Sequence, residues 1–264
     1  MAKKTAPAAK ETKAVATVAQ TQEVALTAPT KQAWGSEDLS ATGIIMPKLL
    51  LMQGLSKFVT EGEAAQGQIV NSLTKEVVGG ITNIKTKAGT AVDLVAFKAF
   101  KTWLEFEKEN GEWVYKKGYP MTADNVNFKQ EEIINGVEIR RDRCLNYYCL
   151  QPSKVASGEA LPVVVSFRRT SMKAGKKLAT MAAELKALGG KPLAFKHFSL
   201  SAVPLQKDDK TFWGFEVEYG ERSTEAELNE AFKWYSALKS IEAKIDDSDL
   251  REPEKAAHAE PTEY

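Results

Sequence analysis

The chain has 264 residues, a formal net charge of +1 and 43% hydrophobic residues. A chain of this length holds one elaborated domain or two small ones, and no stretch approaches the roughly 18 consecutive apolar residues of a membrane span. The balanced charge argues against polyanion binding by bulk attraction, although a local basic groove stays open. The N-terminus lacks the apolar core of a signal peptide, so we expect a cytoplasmic protein without a membrane partner.

The two ends differ in composition from the centre. Residues 1–33 are rich in Ala, Thr, Lys and Gln, and residues 246–264 form an acidic tail that contains two prolines and ends at Tyr264. Such segments bury too little apolar surface to offset the entropy of ordering. We therefore predict a disordered N-terminal arm, a single domain over residues 34–245 and a disordered tail.

The domain begins with a short apolar run after Pro47, which periodicity leaves open between a strand and a buried helical turn. The long β-branched and aromatic run 90–106 leads to Asn110-Gly111. A second pair, Asn135-Gly136, precedes another long strand candidate that ends at Leu150. Because Asn-Gly between such runs is typical of two-residue turns, we predict two β-hairpins.

The last third alternates strands and helices. We predict strands over 161–167, 193–205 and 212–219, and helices over 171–188 and 224–245. Ser171 is the predicted N-cap of the first helix and Gly189-Gly190 its stop, while Thr224 and Glu227 form a predicted capping box for the second.

This order indicates a mainly β (α+β) fold. We predict an OB-like five-stranded barrel with an N-terminal β-rich elaboration, a helix inserted between the third and fourth strands, and a C-terminal helix. Other α+β folds share the strand-helix-strand-strand order, so spacing alone does not establish closure into a barrel.

The sequence offers little material for catalysis, a metal or a cofactor. Its two histidines are His197, in a predicted strand, and His258, in the tail. Metal sites rich in histidine and Ser-His-Asp triads are therefore not expected, and no phosphate-binding glycine motif is present. Cys144 and Cys149 are predicted to be reduced core residues. We expect a protein that is not an enzyme, although an acidic site formed by distant carboxylates stays open.

Positive charge interleaved with aromatic residues indicates nucleic-acid binding. Alternation in the strand 140–150 places Arg141, Arg143 and Tyr147 on one face, with Arg140 and Tyr148 on the other. More cations surround the start of the next helix: Arg168, Arg169, Lys173, Lys176 and Lys177. Single-stranded nucleic acid is bound by such cations and by rings that stack on bases. The alternative interpretation is solvated surface charge and core aromatics.

Two short segments and the tail resemble bacteriophage proteins. The segments are residues 45–56 (IMPKLLLMQGLS) and 67–74 (GQIVNSLT), and the acidic end resembles the tails of phage and bacterial single-stranded DNA-binding proteins, with Tyr264 where those more often carry Phe. The resemblance implies single-stranded DNA as partner in DNA replication or recombination in the host cytoplasm. It also implies docking of replication or recombination proteins through Tyr264, and oligomers are possible.

Two other hypotheses and one property of the tail stay open. A virion structural or assembly protein would also combine a β-rich domain with disordered arms, and an enzyme would need a site that the sequence does not reveal. The acidic tail is expected either to compete with nucleic acid for a basic groove or only to aid solubility.

Overall fold

The computed structural model describes residues 45–207, 210–238, 244, 245, 247 and 250. The protein is mainly β, as the sequence predicts, with one large sheet that curls into a half-barrel and a few helices. The predicted arms, residues 1–33 and 246–264, lie outside the described residues except for positions 247 and 250.

The strands are, in chain order, β1 (Ile45–Met46), β2 (Lys48–Leu51), β3 (Gln68–Asn71), β4 (Val77–Asn83), β5 (Ala88–Thr90), β6 (Val92–Glu109), β7 (Glu112–Pro120), β8 (Glu131–Ile134), β9 (Val137–Leu150), β10 (Val163–Arg168), β11 (Lys196–Lys207), β12 (Lys210–Arg222) and β13 (Lys244–Ile245). The helices are α1 (Lys57–Thr60), α2 (Pro152–Ala156), α3 (Met172–Ala187) and α4 (Glu225–Ala237), with short 3₁₀ turns at Arg169–Ser171 and Leu193–Phe195. No helix within the described ranges is long and apolar enough to cross a membrane.

Eleven strands form the large sheet, in the order β12-β11-β6-β9-β10-β2-β3-β4-β5, with β7 paired to β6 and β8 paired to β9. Only the β10–β2 pair within this sheet is parallel. The predicted five-stranded barrel would be only a part of this sheet, since an N-terminal β-rich elaboration is also predicted. Over the described residues the ladder ends at β5 and β12, so closure into an OB-like barrel stays a prediction.

Local sequence signals explain the hairpins. Asn110 and Gly111 have φ values of 52° and 87°, and Asn135 and Gly136 have 50° and 82°. Two successive positive φ angles are the geometry of a type I′ turn, which favours Asn-Gly because asparagine and glycine tolerate the left-handed region. Both predicted hairpins, β6–β7 and β8–β9, are confirmed. The run after Pro47 is the strand β2, not a helical turn.

Helix α3 differs from its prediction at one end. Gly189 and Gly190, with φ values of 100° and 69°, stop it as predicted. Ser171 is not a side-chain cap, because its own backbone is already helical (φ −81°, ψ −5°) and its hydroxyl makes no capping hydrogen bond. That hydroxyl instead accepts from the backbone N–H of Phe215 at 3.4 Å, which ties the helix start to β12.

Helix α4 begins with the predicted capping box, since Thr224 and Glu227 exchange both hydrogen bonds. It ends at Ala237, however, and the prediction that it continues to Ile245 was wrong. The carbonyl of Leu238 accepts a 2.8 Å hydrogen bond from Lys98 Nζ, which satisfies an acceptor at the helix end. Ile245 belongs to β13, which pairs in parallel with β1.

The central strands are covered on both faces. Leu94, Tyr147 and Val165 belong to the cluster that packs against Leu178 and Met181 of α3. The second cluster holds Val95, Tyr148 and Val164 from the same strands, together with Ala231 and Leu238 around α4. Alternation along each strand therefore divides the core into two layers.

The two cysteines are buried and unbridged, as predicted. Burial raises the pKa of the Cys144 thiol to about 12, so this thiol is protonated at neutral pH. Two large apolar side chains of the predicted helices lie outside the core: Leu188 is 68% exposed and Phe232 is 70% exposed.

Candidate nucleic-acid interface

A groove of about 1640 Å³ is lined by residues of β2, β6, β7, β9 and β10 and by the segment from Met52 to Glu63. The strand residues that line it follow a two-residue alternation, as one face of a sheet requires. On the central strands these are Lys98, Phe100, Thr102 and Leu104 of β6, Cys144, Asn146 and Tyr148 of β9, and Ser166 and Arg168 of β10. Lys101 of β6 also lines the groove, outside this alternation. A bulge between Ala96 and Lys98 sets this alternation on β6.

Positive charge predominates in the groove. Nine lysine and arginine side chains line it, against three carboxylates, Glu61, Glu63 and Asp247. Several of the lysines already have partners. Lys75 Nζ lies 2.8 Å from Glu63, and Lys117 Nζ lies 3.2 Å from Glu105.

Two lysines of β6 lack a carboxylate partner within the described residues. Lys98 donates to a backbone carbonyl, and Lys101 is exposed. Together with Arg168 and Arg169 at the end of β10, they leave an excess of positive potential along this wall.

Aromatic rings alternate with these cations. Phe100 and Tyr148 stack with their centroids 4.8 Å apart and their planes inclined by 27°, and Lys98 Nζ lies 5.8 Å from the Tyr148 ring. On β7, which pairs with β6, Lys117 Nζ lies 5.6 Å from the ring of Tyr119. Phe100 is half-buried, so one part of its ring is available to a planar ligand group.

A chain of polar side chains crosses the floor of the groove. Ser166 Oγ donates to Asn146 Oδ1 at 2.7 Å, and Asn146 Nδ2 donates to Thr102 Oγ1 at 2.9 Å. The three residues come from the adjacent strands β10, β9 and β6. They fix Asn146, which is 2% exposed, beneath the stacked rings.

One carboxylate of the C-terminal segment sits in this groove. Asp247 Oδ1 lies 2.5 Å from Lys48 Nζ, and Asp247 Oδ2 accepts from the hydroxyl of Tyr115 at 2.8 Å. Lys48 is only 4% exposed, so the ion pair is formed at the base of the groove.

A family model described as Pam3 phage gp34-like protein matches residues 13–244. The chain belongs to the Pam3 phage gp34-like family. The predicted bacteriophage origin is thereby confirmed. Neither the curated proteins nor the solved structures contain a significant match to this phage protein.

The structure brings only two of the predicted binding residues of this phage protein into the groove, Arg168 and Arg169. Lys173, Lys176 and Lys177 are exposed on α3 but do not line the groove. The opposite side of α3, with Ala174 and Leu178, packs on the core, so the three lysines face away from the sheet.

Arg141 and Arg143 lie on the face of β9 opposite the groove. Arg140 and Asp142 share the alternation of the groove residues, whereas Arg141 and Arg143 lie beside Trp103 and the segment from Met121 to Gln130. Alternation in sequence correctly separates the two sets but does not reveal which face stays open. The predicted binding residues of β9 therefore lie on the face away from the groove, and their role in binding stays a prediction.

Arg141 is committed to an internal ionic network. Its side chain is 6% exposed, its Nε donates to Glu105 Oε2 at 2.8 Å, and its Nη1 contacts Glu132. Burial lowers the pKa of Arg141, but the hydrogen bonds to Glu132 and Glu105 outweigh burial and raise it above the ordinary value. The guanidinium therefore holds β8 and β6 to β9 and is not available to a phosphate.

Tyr147 lies in the core and is 2% exposed. Its ring packs edge-on against Phe167 with the centroids 5.8 Å apart, and its hydroxyl donates to the carbonyl of Gly175 at 3.1 Å. Burial raises the pKa of Tyr147 to about 12. A base cannot stack on this ring unless α3 separates from the sheet. Tyr264, the predicted partner-docking residue, lies outside the described residues.

His197 has a structural contact of its own. Its Nε2 lies 2.9 Å from Glu227 Oε2, and Glu227 is also part of the capping box of α4. Among the described residues, no three His, Cys, Asp or Glu side chains group closely enough to hold a metal ion.

The sequence-based prediction missed the groove residues of β6, including Lys98, Phe100 and Lys101. Their signal was the sequence Phe-Lys-Ala-Phe-Lys at positions 97–101, where cations and rings interleave as they do in β9. The long hydrophobic run around them favoured a core interpretation, and the bulge that turns Lys98 and Phe100 to one face has no local sequence signature.

Proposed function

We propose that this phage protein binds single-stranded DNA in the groove and protects it during phage DNA replication or recombination, without catalysis. The observation that carries the proposal is the interleaving of cations with aromatic rings on the groove face of β6, β9 and β10. Cations follow the phosphates of a strand, and each base that stacks on a ring contributes roughly 1–3 kcal/mol.

The polar floor also favours a single strand with its bases turned inward. Phe100, which stacks on the buried ring of Tyr148, offers a surface for a base, and Thr102 and Ser166 supply hydrogen-bonding groups next to it. In a duplex the bases are already stacked and paired, so these groups would meet only the backbone.

We further propose that the curled sheet is OB-like. In support, β10, α3, β11 and β12 follow one another in the strand-helix-strand-strand order, and α3 packs on the strands that precede it. An experimental structure with strand pairing that closes β12 onto the β2–β5 half would support this fold, and a flat or open sheet would contradict it.

The binding proposal is tested by fluorescence titration with oligo(dT) at two salt concentrations. Lys101→Glu should weaken binding and reduce the salt slope by about 0.7, since one phosphate contact is lost. Phe100→Leu should cost about 1–3 kcal/mol of binding because it removes a stacking ring but keeps an apolar side chain.

Lys173→Glu provides the matched control, because Lys173 is equally exposed but lies on α3 outside the groove. It should bind oligo(dT) almost as wild type does. If Lys173→Glu weakens binding and Lys101→Glu does not, DNA binds along α3 and the groove proposal is wrong.

A virion structural or assembly role is the second candidate. It is favoured by a group of exposed apolar side chains around the β8–β9 hairpin: Phe128 (40% exposed), Ile133 (72%), Ile134 (39%) and Val137 (39%). Apolar side chains grouped in this way favour a protein contact. Wild-type protein that fails to bind oligo(dT) at low salt would move the assignment to this role.

A further inference from the structure

Three arginines converge on a single carboxylate at one wall of the groove. Arg169 Nε lies 2.6 Å from Asp142 Oδ2, Arg168 Nη1 lies 3.9 Å from the same oxygen, and Arg140 Nε lies 3.7 Å from Asp142 Oδ1. The four residues come from neighbouring positions of β9, the end of β10 and the 3₁₀ turn that follows it, because Arg168 pairs with Cys144 two residues after Asp142. We call this set the arginine cluster.

The charge of the cluster is not balanced by its own carboxylate. Three guanidinium groups surround one Asp142, and Glu131 adds only a longer-range attraction to Arg140. Burial and the nearby charge of Arg169 both lower the pKa of Arg140. Like charges held together in this way favour the arrival of an anion.

Two aromatic rings hold Arg140 in place. Its guanidinium lies 4.8 Å from the ring centroid of Phe106 and 4.6 Å from that of Trp113. Its Nε is buried and finds no hydrogen-bond partner within the described residues. A guanidinium that lies against two rings, with its buried Nε unsatisfied, supports the charge of the cluster without lining the groove itself.

The backbone presents Arg169 to the groove in an unusual conformation. Arg169 has φ of 47°, in the left-handed region that side chains other than Gly, Asn and Asp rarely adopt. Arg168, Arg169, Thr170 and Ser171 all line the groove. Backbone strain of this kind is concentrated at functional sites, where it holds a side chain in a required position.

We propose that the arginine cluster is a phosphoryl-binding subsite, in which Arg168 and Arg169 contact the phosphate oxygens and Arg140 and Asp142 position them. Planar guanidinium forks match the oxygens of a phosphate. Two positive charges in excess of the single carboxylate suit a phosphate that carries one or two negative charges. That the phosphate belongs to a DNA strand rests on the proposed function. The existence of the subsite does not depend on it.

Isothermal titration of the full chain with sodium pyrophosphate at low ionic strength tests the subsite without DNA. Arg169→Asn removes the guanidinium but suits the left-handed backbone, so the fold is kept. It should weaken pyrophosphate binding at least about tenfold, because a charge-assisted hydrogen bond is lost. Arg169→Lys keeps the positive charge but not the two-pronged guanidinium, so it should lose less affinity for pyrophosphate than Arg169→Asn. Lys173→Gln, which lies outside the groove, should bind pyrophosphate as wild type does.

The source of the phosphate is distinguished with oligo(dT) that carries either a 5′-phosphate or a 5′-hydroxyl. If wild type binds the 5′-phosphorylated strand more tightly and Arg169→Asn does not, the subsite binds a strand-end phosphate. If Arg169→Asn loses the same affinity for both strands, the subsite binds an internal phosphodiester. Pyrophosphate that does not bind, or binds equally to wild type and Arg169→Asn, overturns the subsite. Pyrophosphate binding without oligo(dT) binding would instead refute the single-stranded DNA proposal and leave the subsite standing.

Discussion

Replacement of Arg141 by leucine separates a structural role of this residue from a role in binding. The guanidinium is 6% exposed, contacts Glu105 at 2.8 Å and Glu132, and also donates to the Tyr119 hydroxyl at 3.1 Å. Leucine retains apolar volume but provides no donor. The carboxylate of Glu105, itself 9% exposed, would then lose its guanidinium partner and keep Lys117 and the hydroxyl of Tyr119.

The size of the effect follows from what remains around Glu105. Removal of one partner of a buried pair costs about 3–5 kcal/mol, because the other charge stays buried and unpaired. Here Lys117 still lies 3.2 Å from Glu105, and the side chain of Glu132 is 28% exposed. We therefore expect a loss of about 2–3 kcal/mol in the free energy of unfolding, which corresponds to a fall in Tm of about 5–10 °C for a domain of this size.

The loss should depend on pH in a defined direction. Burial raises the pKa of Glu105, but hydrogen bonds from Arg141, Tyr119 and Lys117 outweigh burial and hold the pKa below its ordinary value. A carboxylate whose pKa is lower in the folded than in the unfolded protein stabilises the fold at pH values above its unfolded-state pKa, which is about 4.3 for Glu. This stabilisation is lost as the pH falls through the folded-state pKa. The difference between wild type and Arg141→Leu should therefore shrink on acidification below about pH 4.

Urea unfolding followed by circular dichroism at pH 7 and pH 3, with oligo(dT) titration of the same samples, measures both effects. Arg143→Leu is the matched control, because Arg143 lies on the same face but is exposed, contacts the ring of Trp103 at 5.0 Å and makes one 3.3 Å hydrogen bond, to the carbonyl of Val126. It should cost less than about 1 kcal/mol. An Arg141→Leu protein as stable as wild type, but with weaker DNA binding, would refute the network and restore a direct binding role.

Truncation after Ile245 should tighten oligo(dT) binding at low salt, because Asp247 no longer forms its ion pair with Lys48 at the base of the groove. The gain in affinity should shrink as salt is added. Identical affinities of the full-length and truncated proteins at low salt would leave the tail with only a solubility role. Tyr147→Phe should lower the free energy of unfolding by about 1 kcal/mol, through the lost hydrogen bond to Gly175, and should leave DNA affinity unchanged. A weakened affinity in this variant at full stability would show that the ring reaches the ligand.

Much of the local structure is predictable because its causes lie within a few residues. Asn110-Gly111 and Asn135-Gly136 form the two hairpins since their backbones tolerate positive φ. Thr224 and Glu227 begin α4 through contacts made within a single turn. The helix end at Ala237 was not predictable, because the donor that satisfies the Leu238 carbonyl is Lys98, from a distant strand.

The site was only partly predictable, and the reason is geometric. Alternation in β9 correctly assigns Arg140 and Tyr148 to one face and Arg141 and Tyr147 to the other. The alternation does not predict which of the two faces will pack against α3 and the segment around Val126. The predicted binding residues of β9 lie on the face away from the groove. Of all the predicted binding residues, only Arg168 and Arg169 line the groove.

The sequence by itself therefore determined the β-rich class, the hairpins, the capped start of α4, the glycine stop of α3 and the burial of both cysteines. These features arise from backbone preferences and from apolar side chains that must leave water. Only the tertiary structure decided that Lys98, Phe100, Arg168 and Arg169 line one groove. That decision depends on strand pairing over long sequence separations and on a bulge in β6, and neither has a local signal in the sequence.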